Sequence, residues 1–200
     1  MRFVCLDFEG VLIPEMWIAV AERTGIEALR LTTREEPDYD KLMRRRIDIL
    51  DANGIRLPDI QAVIGGLEPM EGAPAFLEKL RARYQVAILS DTFYEFAEPF
   101  VRRLGWPTLF CHSLVVQDGR IAGYRTRLAD HKRKSVQALK GLNFTVMAAG
   151  DSYNDTGMLQ EADYGSFFRA PQNVLRDFPH LPHAEDYAVL LDRFEAAARG

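Results

Sequence analysis

The sequence predicts an α/β fold: a parallel sheet core with helices on both faces and a small helical cap inserted after the first strand. Three observations predict it. Short apolar runs alternate with helical stretches from about position 67 onward, the pattern of a parallel sheet built from crossover units. The stretch from Pro14 to about Gly66 reads as helical throughout, with no strand in it. Two of the apolar runs stop at an aspartate, Asp7 and Asp151, and open parallel sheets bind ligands beyond the carboxyl ends of their strands.

In chain order, Phe3 to Phe8 is an unbroken apolar run, as expected for a strand buried on both faces. Gly10 and Pro14 end it, and Pro14 suits the first turn of a helix carrying Trp17, Ile18 and Val20. A second helix is expected from Asp38 to Ala52, stopping near Asn53-Gly54, and a third from Pro58 to Ile64. After Gly65-Gly66 come a helix from Gly72 to Arg83, a strand from Gln85 to Leu89 and a helix from Phe93 to Leu104. Thr92-Phe93-Tyr94-Glu95 has the form of a capping box for that helix. Thr108 to Cys111 is strand-like, and Leu114 to Val116 with Ile121 to Tyr124 flank Asp118-Gly119, a hairpin signal. His131 to Lys140 is helical, Phe144 to Ala149 a strand, Asn154 to Ala162 a helix, Tyr164 to Phe168 a last strand, and a tail helix starts near Glu185. The expected division is a core of residues 1–14 and 67–200 with a cap of residues 15–66.

At 200 residues, a single core can bury roughly 70% of its unfolded surface and needs no disulfide or structural metal. The 48% hydrophobic and 27% charged fractions are those of a globular protein. A net charge of −4 gives no general attraction to nucleic acid or an anionic membrane, so any anion site must be local. Cys5 and Cys111 are far apart and form no CxxC, which points to a reducing compartment. The run before Asp7 is too short for a signal peptide, and no stretch of about 18 apolar residues is present; a cytoplasmic location is the expectation.

Asp7, Asp151 and Asp155, one helical turn after Asp151, would converge at one sheet edge. Three carboxylates repel one another unless a cation sits between them, and hard oxygen ligands with room for water and phosphate describe a Mg²⁺ site. Each also has a plainer reading: Ser152-Tyr153-Asn154-Asp155 fits a capping box, and a lone strand-end aspartate is usually a turn residue.

Four motifs together resemble the haloacid dehalogenase-like phosphatases. They are Asp7-Phe8-Glu9-Gly10 after the first strand; Val86-Ala87-Ile88-Leu89-Ser90; a lysine opening a helix, Lys132; and Gly150-Asp151-Ser152-Tyr153-Asn154-Asp155. The resemblance covers the whole chain and implies a Rossmann-like core with residues near 15–66 as the cap. It implies an aspartyl-phosphate on Asp7, with Glu9 as proton donor and acceptor. Lys132 and the Ser90 hydroxyl would neutralise the phosphoryl oxygens, and Asp7, Glu9, Asp151 and Asp155 would form the Mg²⁺ set. Lys134 competes with Lys132, but two positions along a helix point about 200° apart, so both cannot face the site.

Glu9 departs from the family pattern, where a second aspartate is usual; its extra methylene moves the carboxyl by about 1.5 Å. Asp7-x-Glu9-Gly10-Val11-Leu12-x-Pro14-Glu15-x-Trp17, Leu89-Ser90-Asp91-Thr92-Phe93-Tyr94-Glu95-Phe96 and Ala149-Gly150-Asp151-Ser152-Tyr153-Asn154-Asp155-Thr156 are similar to bacterial phosphoserine phosphatases that transfer the phosphoryl group to homoserine. The resemblance therefore implies phosphoserine as the small-molecule partner and homoserine as an acceptor.

On the helix from Asp38 to Ala52, Tyr39, Leu42, Met43, Ile47 and Leu50 form one apolar stripe with Arg46 in its middle, while Arg44 and Arg45 point away. A charge on a buried face needs a partner, so Arg46 is read as a guanidinium ready to hold a substrate carboxylate; the plainer reading is a stem lying on apolar surface. Glu15 is its counterpart for a substrate ammonium, although an acid in a first helical turn also complements the dipole. Asp91 and Asn154 complete the expected substrate contacts. Trp17, Met43 and Phe93 fit core as well as pocket. The four histidines show no ligand spacing on one helix face and receive no role. Two alternatives stand beside this reading: a phosphatase for another small phosphomonoester, and a non-catalytic metabolite-binding regulator. Monomer and homodimer are both compatible with an apolar tail helix.

Overall fold

The structure, a computed structural model, describes residues 1–32, 35–36 and 38–199; positions 33, 34 and 37 of the expected cap and 200 of the expected core lie outside them. The first strand, β1 (Arg2–Leu6), sends Val4 and Leu6 to one face and Cys5 to the other, and all three are fully buried. The same alternation holds in β2 (Gln85–Phe93) and β5 (Thr145–Gly150): Ile88, Met147 and Ala149 join the larger core cluster, while Ala87, Leu89, Val146 and Ala148 join the smaller. Burial on both faces requires helices on both sides, which is why these strands read as continuous apolar runs.

With β3 (Thr108–Gln117), β4 (Arg120–Arg125), β6 (Tyr164–Phe168) and β7 (His183–Ala184), these strands form one sheet in the order β4-β3-β2-β1-β5-β6-β7. Only the β3–β4 pair is antiparallel. The chain leaves β1 on both sides, to β2 and to β5, so the crevice beyond β1 is the switch point where such sheets hold ligands.

Between β1 and β2 lie α1 (Met16–Thr24), a short 3₁₀ turn (Glu27–Arg30), α2 (Tyr39–Ala52), α3 (Leu57–Gly65) and α4 (Ala73–Arg81). Asp38 caps α2, its side chain accepting the Lys41 backbone N–H at 3.1 Å. The predicted stripe of α2 is observed: Leu42, Met43, Arg46 and Leu50 are buried, and Arg44 and Arg45 are exposed. The β3–β4 hairpin reaches over to this insertion. Leu57 N–H donates to Gly119 O at 2.8 Å, Arg56 Nη1 to Asp118 O at 2.6 Å, and Arg120 pairs with Asp51. The remaining helices are α5 (Tyr94–Arg103), α6 (His131–Gly141), α7 (Thr156–Glu161), α8 (Gln172–Asp177) and α9 (Tyr187–Arg199). The tail helix α9 turns Leu190, Phe194 and Ala198 into the chain's own core.

Three local expectations are revised. β2 continues past Leu89 to Phe93 with a register shift, so Thr92 lies in the strand and the Thr92–Glu95 capping box does not form. The Glu95 carboxylate instead accepts the Leu114 N–H at 3.0 Å, tying α5 to β3. β3 is one strand rather than two pieces, bending into the hairpin at Asp118-Gly119, both at positive φ. The helix expected from Asn154 starts as a 3₁₀ turn (Tyr153–Asp155) before α7.

Behind the switch point, Phe8, Phe93, Phe96 and Phe100 are no more than 1% exposed. Phe8 meets Phe100 and Phe93 meets Phe96 edge to face, with centroids 6.2 and 5.6 Å apart. Burying each ring contributes about 1.5–3 kcal/mol, so the segments that carry the site residues rest on rigid packing.

Candidate active site

Asp7 continues β1, its N–H held by Ala149 O of β5 at 2.9 Å. Asp151 follows β5 directly, and Ser90 sits near the matching end of β2. Two glycines let these acids approach. A Cβ at Gly10 would lie 2.5 Å from Asp151 Oδ2, and Gly10 adopts φ +75°; a Cβ at Gly150 would lie 2.3 Å from Asp155 Cγ. Any side chain at either place would displace a site carboxylate.

Asp155 serves both of its readings at once. Its Oδ2 accepts the Asp151 and Ser152 N–H groups at 3.0 and 3.1 Å, closing the capping box with Ser152. Its Oδ1 accepts Lys132 Nζ at 2.7 Å. Lys132 also donates to Asp7 Oδ1 at 2.8 Å and lies 3.3 Å from Asp91 Oδ2. Lys132 is 3% exposed while Lys134 faces solvent, so of the two lysines only Lys132 reaches the acids.

Asp7, Asp151 and Asp155 each offer a carboxylate oxygen within 4.8 Å of the others, a set able to hold a metal ion. Burial and the Asp155 charge push Asp7 well above the usual carboxylate range, against the opposing pull of Lys132. Burial opposes the Lys132 charge, yet Asp155, Asp7 and Asp91 together hold its ammonium well above the ordinary lysine value. Three clustered acids against one shared ammonium leave excess negative charge, and a divalent cation on their oxygens would remove it.

Glu9 lies outside that trio. Its Oε2 accepts the Met16 N–H at the start of α1 at 3.0 Å. Burial first, then the neighbouring Glu15 charge, raise the Glu9 carboxyl to about 8. That shift favours the protonated form of Glu9 at neutral pH, in the cavity it shares with Asp7.

The insertion closes the other side of the same cavity, which Asp7, Glu9, Glu15, Arg46, Ser90 and Asn154 all line. Arg46 is 6% exposed, its guanidinium 4.4 Å from the Trp17 ring centroid. Nη2 donates to Leu31 O at 2.8 Å, and Nε has no hydrogen-bond partner among the described residues. Burial pulls this guanidinium down to about 10, with Glu9, Tyr39 and Glu15 acting in the opposite sense. Asp91 lines the cavity as well, and its carboxylate accepts Asn154 Nδ2 at 2.7 Å. Trp17 and Met43 are buried; Trp17 lines the cavity, whereas Phe93 belongs to the core beneath it.

Sequence reasoning missed His112 and His131. Both are buried, and both stand against Asp91, at 3.5 Å and 3.0 Å from its Oδ1. They arrive from β3 and from the first turn of α6, so no single-helix spacing could connect them. No helix among the described residues is long and apolar enough to cross a membrane.

Comparison with known proteins agrees with this geometry. A family model for haloacid dehalogenase-like hydrolases matches residues 1–163. A Pseudomonas aeruginosa protein named phosphoserine phosphatase ThrH is 56% identical over 199 residues, covering 99% of this chain and 97% of its own. A phosphoserine phosphatase of Pseudomonas syringae pv. tomato is 55% identical over 99% of this chain and 84% of its own. Among solved structures, a phospho-aspartyl intermediate analogue of phosphoserine phosphatase superposes with a TM-score of 0.79 at 20% identity, covering 96% of this chain and 98% of that one. At that identity the superposition speaks for the fold.

Proposed function

For a chain that belongs to the haloacid dehalogenase-like hydrolases, we propose Mg²⁺-dependent hydrolysis of phosphoserine through an aspartyl-phosphate on Asp7, with transfer of the phosphoryl group to homoserine as a second outcome. Residues 15–66 act as the cap that recognises the amino-acid head. The observation that carries the substrate assignment is Arg46. A guanidinium buried on the apolar face of α2, with Nε unpartnered among the described residues, on a residue that lines the cavity holding Asp7, is ready for a carboxylate. Glu15 on the same wall takes the ammonium. One group of each sign matches an amino-acid head better than a sugar or a nucleotide. Two relatives above 50% identity bear the name phosphoserine phosphatase, which supports the same assignment.

In the first step an Asp7 carboxylate oxygen attacks phosphorus, and the bond to the serine oxygen breaks. Glu9, protonated at neutral pH, gives its proton to the departing alkoxide. Lys132 and the Ser90 hydroxyl sit against the phosphoryl oxygens as charge builds on them. In the second step Glu9, now a carboxylate, takes a proton from water or from the hydroxyl of homoserine. That oxygen then attacks the phosphorus and frees Asp7. Mg²⁺ held by Asp7, Asp151 and Asp155 would supply Lewis-acid neutralisation of the phosphoryl group.

Phosphate release from L-phosphoserine with Mg²⁺, measured with and without L-homoserine while phosphohomoserine is followed by NMR, tests this reading. Release that is partly diverted into phosphohomoserine is expected. Inert phosphoserine alongside turnover of another phosphomonoester would leave Asp7 its role and remove the head-group assignment.

A further inference from the structure

Two histidines lie buried against one carboxylate beside the reacting groups, and the steps above use neither. Asp91 Oδ1 receives His131 Nε2 at 3.0 Å and faces His112 Nε2 at 3.5 Å. Its Oδ2 accepts Asn154 Nδ2 at 2.7 Å and pairs with Lys132 Nζ at 3.3 Å. The Tyr39 hydroxyl of α2 donates to the Asp91 backbone carbonyl at 2.7 Å. Five groups from α2, β3, α6 and the 3₁₀ turn Tyr153–Asp155 thus converge on one residue.

The tautomers follow from the neighbours. The Arg127 backbone N–H donates to His112 Nδ1 at 3.2 Å, so a neutral His112 carries its proton on Nε2, toward Asp91. His131 is 3% exposed and its Nδ1 has no partner among the described residues. A proton on that buried nitrogen would be an unpaired donor, so the ring is neutral with N–H on Nε2, again toward Asp91. Asp91, His112 and His131 have the composition of a metal-binding trio. However, His112 accepts at Nδ1 and is protonated at Nε2, so that ring has no lone pair left to give a metal. Burial works against the Asp91 charge, and Lys132 with both imidazoles overcomes it, holding the carboxyl well below the usual range.

We propose that Asp91 is a positioning residue for phosphoryl transfer: fixed by His131 and His112, it holds the Lys132 ammonium and the Asn154 amide at the phosphoryl site. Two of its four donors fix the carboxylate from behind, and the other two belong to residues that line the cavity. Lys132 is thereby held from three directions, by Asp7, Asp155 and Asp91. Without Asp91 the ammonium is drawn toward the two acids it must leave free for chemistry. The inference rests on the proposed phosphatase reaction, and its effect is on kcat rather than on binding.

The test combines kinetics with imidazole ¹⁵N NMR of the full chain. Asp91→Asn is expected to lower kcat about 10- to 100-fold with KM within about threefold, on phosphoserine and on p-nitrophenyl phosphate alike. His131→Gln, whose amide can donate from near the position of Nε2, is expected to keep kcat within about threefold, and His131→Phe to lower it about tenfold. In the wild-type protein both rings are expected as neutral Nε2–H tautomers. The proposal is overturned by wild-type kcat in folded Asp91→Asn, by a change confined to KM, by equal loss in both His131 variants, or by Nδ1–H rings. Zn²⁺ that shifts both ring signals to metal-bound positions would overturn it too. If neither phosphomonoester is turned over, the phosphatase reading itself fails, and with it the role of Asp91, whichever tautomers the rings show.

Discussion

The two walls of the cavity solve opposite problems. At the sheet edge, the site groups hold one another in place: Lys132 touches Asp7 and Asp155 and pairs with Asp91, and Asp155 is locked by backbone N–H groups. On the helical insertion, Arg46 is buried on an apolar stripe with Nε unpartnered among the described residues, and the neighbouring Glu9 is raised to about 8. A wall whose polar groups satisfy one another is arranged before anything binds, which suits chemistry that needs fixed charges. A wall that keeps a buried donor unsatisfied gains most when a ligand supplies the partner. The sheet edge should therefore govern kcat, and the insertion should govern KM.

The largest effect that would sharpen this contrast is expected at Glu9, which bridges the two walls. Glu9→Gln should slow phosphoserine turnover about 10²- to 10⁴-fold, because the serine alkoxide needs a proton to leave. With p-nitrophenyl phosphate, whose leaving group needs none, formation of the phosphoenzyme should be little changed in a single-turnover measurement. The sign in pH follows from the raised carboxyl: the proton is present below about 8 and lost above it. Phosphoenzyme formation from phosphoserine should fall on an alkaline limb near that value, and p-nitrophenyl phosphate should lack the limb. Equal slowing of both substrates would break the assignment of Glu9 as the acid.

A smaller effect is expected on the other wall. Arg46→Lys keeps the charge but loses the planar fork. It should raise KM for phosphoserine about 10- to 100-fold while changing kcat little. Steady-state kinetics would decide: a loss carried by kcat instead would mean that the insertion takes part in the chemistry.

These two regions were also unequally legible in the sequence. Asp7 and Asp151 could be found because a strand end is a local feature, and Arg46 because helical periodicity places it on a buried face. The parallel core followed from apolar runs buried on both faces. What escaped depends on tertiary contact. Thr92 and Glu95 have the spacing of a capping box, but β2 runs on through Thr92, and the Leu114 N–H takes the Glu95 carboxylate. β7, two residues long, is too short to carry a period. The Asp91–His112–His131 group draws on β2, β3 and α6, and only the fold brings them together. A histidine in an apolar strand, and another beside a site lysine, are the only traces it leaves in the sequence.

The central claim is a covalent phosphoryl group on Asp7. Rapid acid quench of the protein with ³²P-labelled L-phosphoserine and Mg²⁺, followed by peptide mapping, tests it most directly. The account predicts label on Asp7 that forms and decays at the rate of turnover, and no label in Asp7→Asn. Turnover with no labelled protein, or label on another residue, would contradict it.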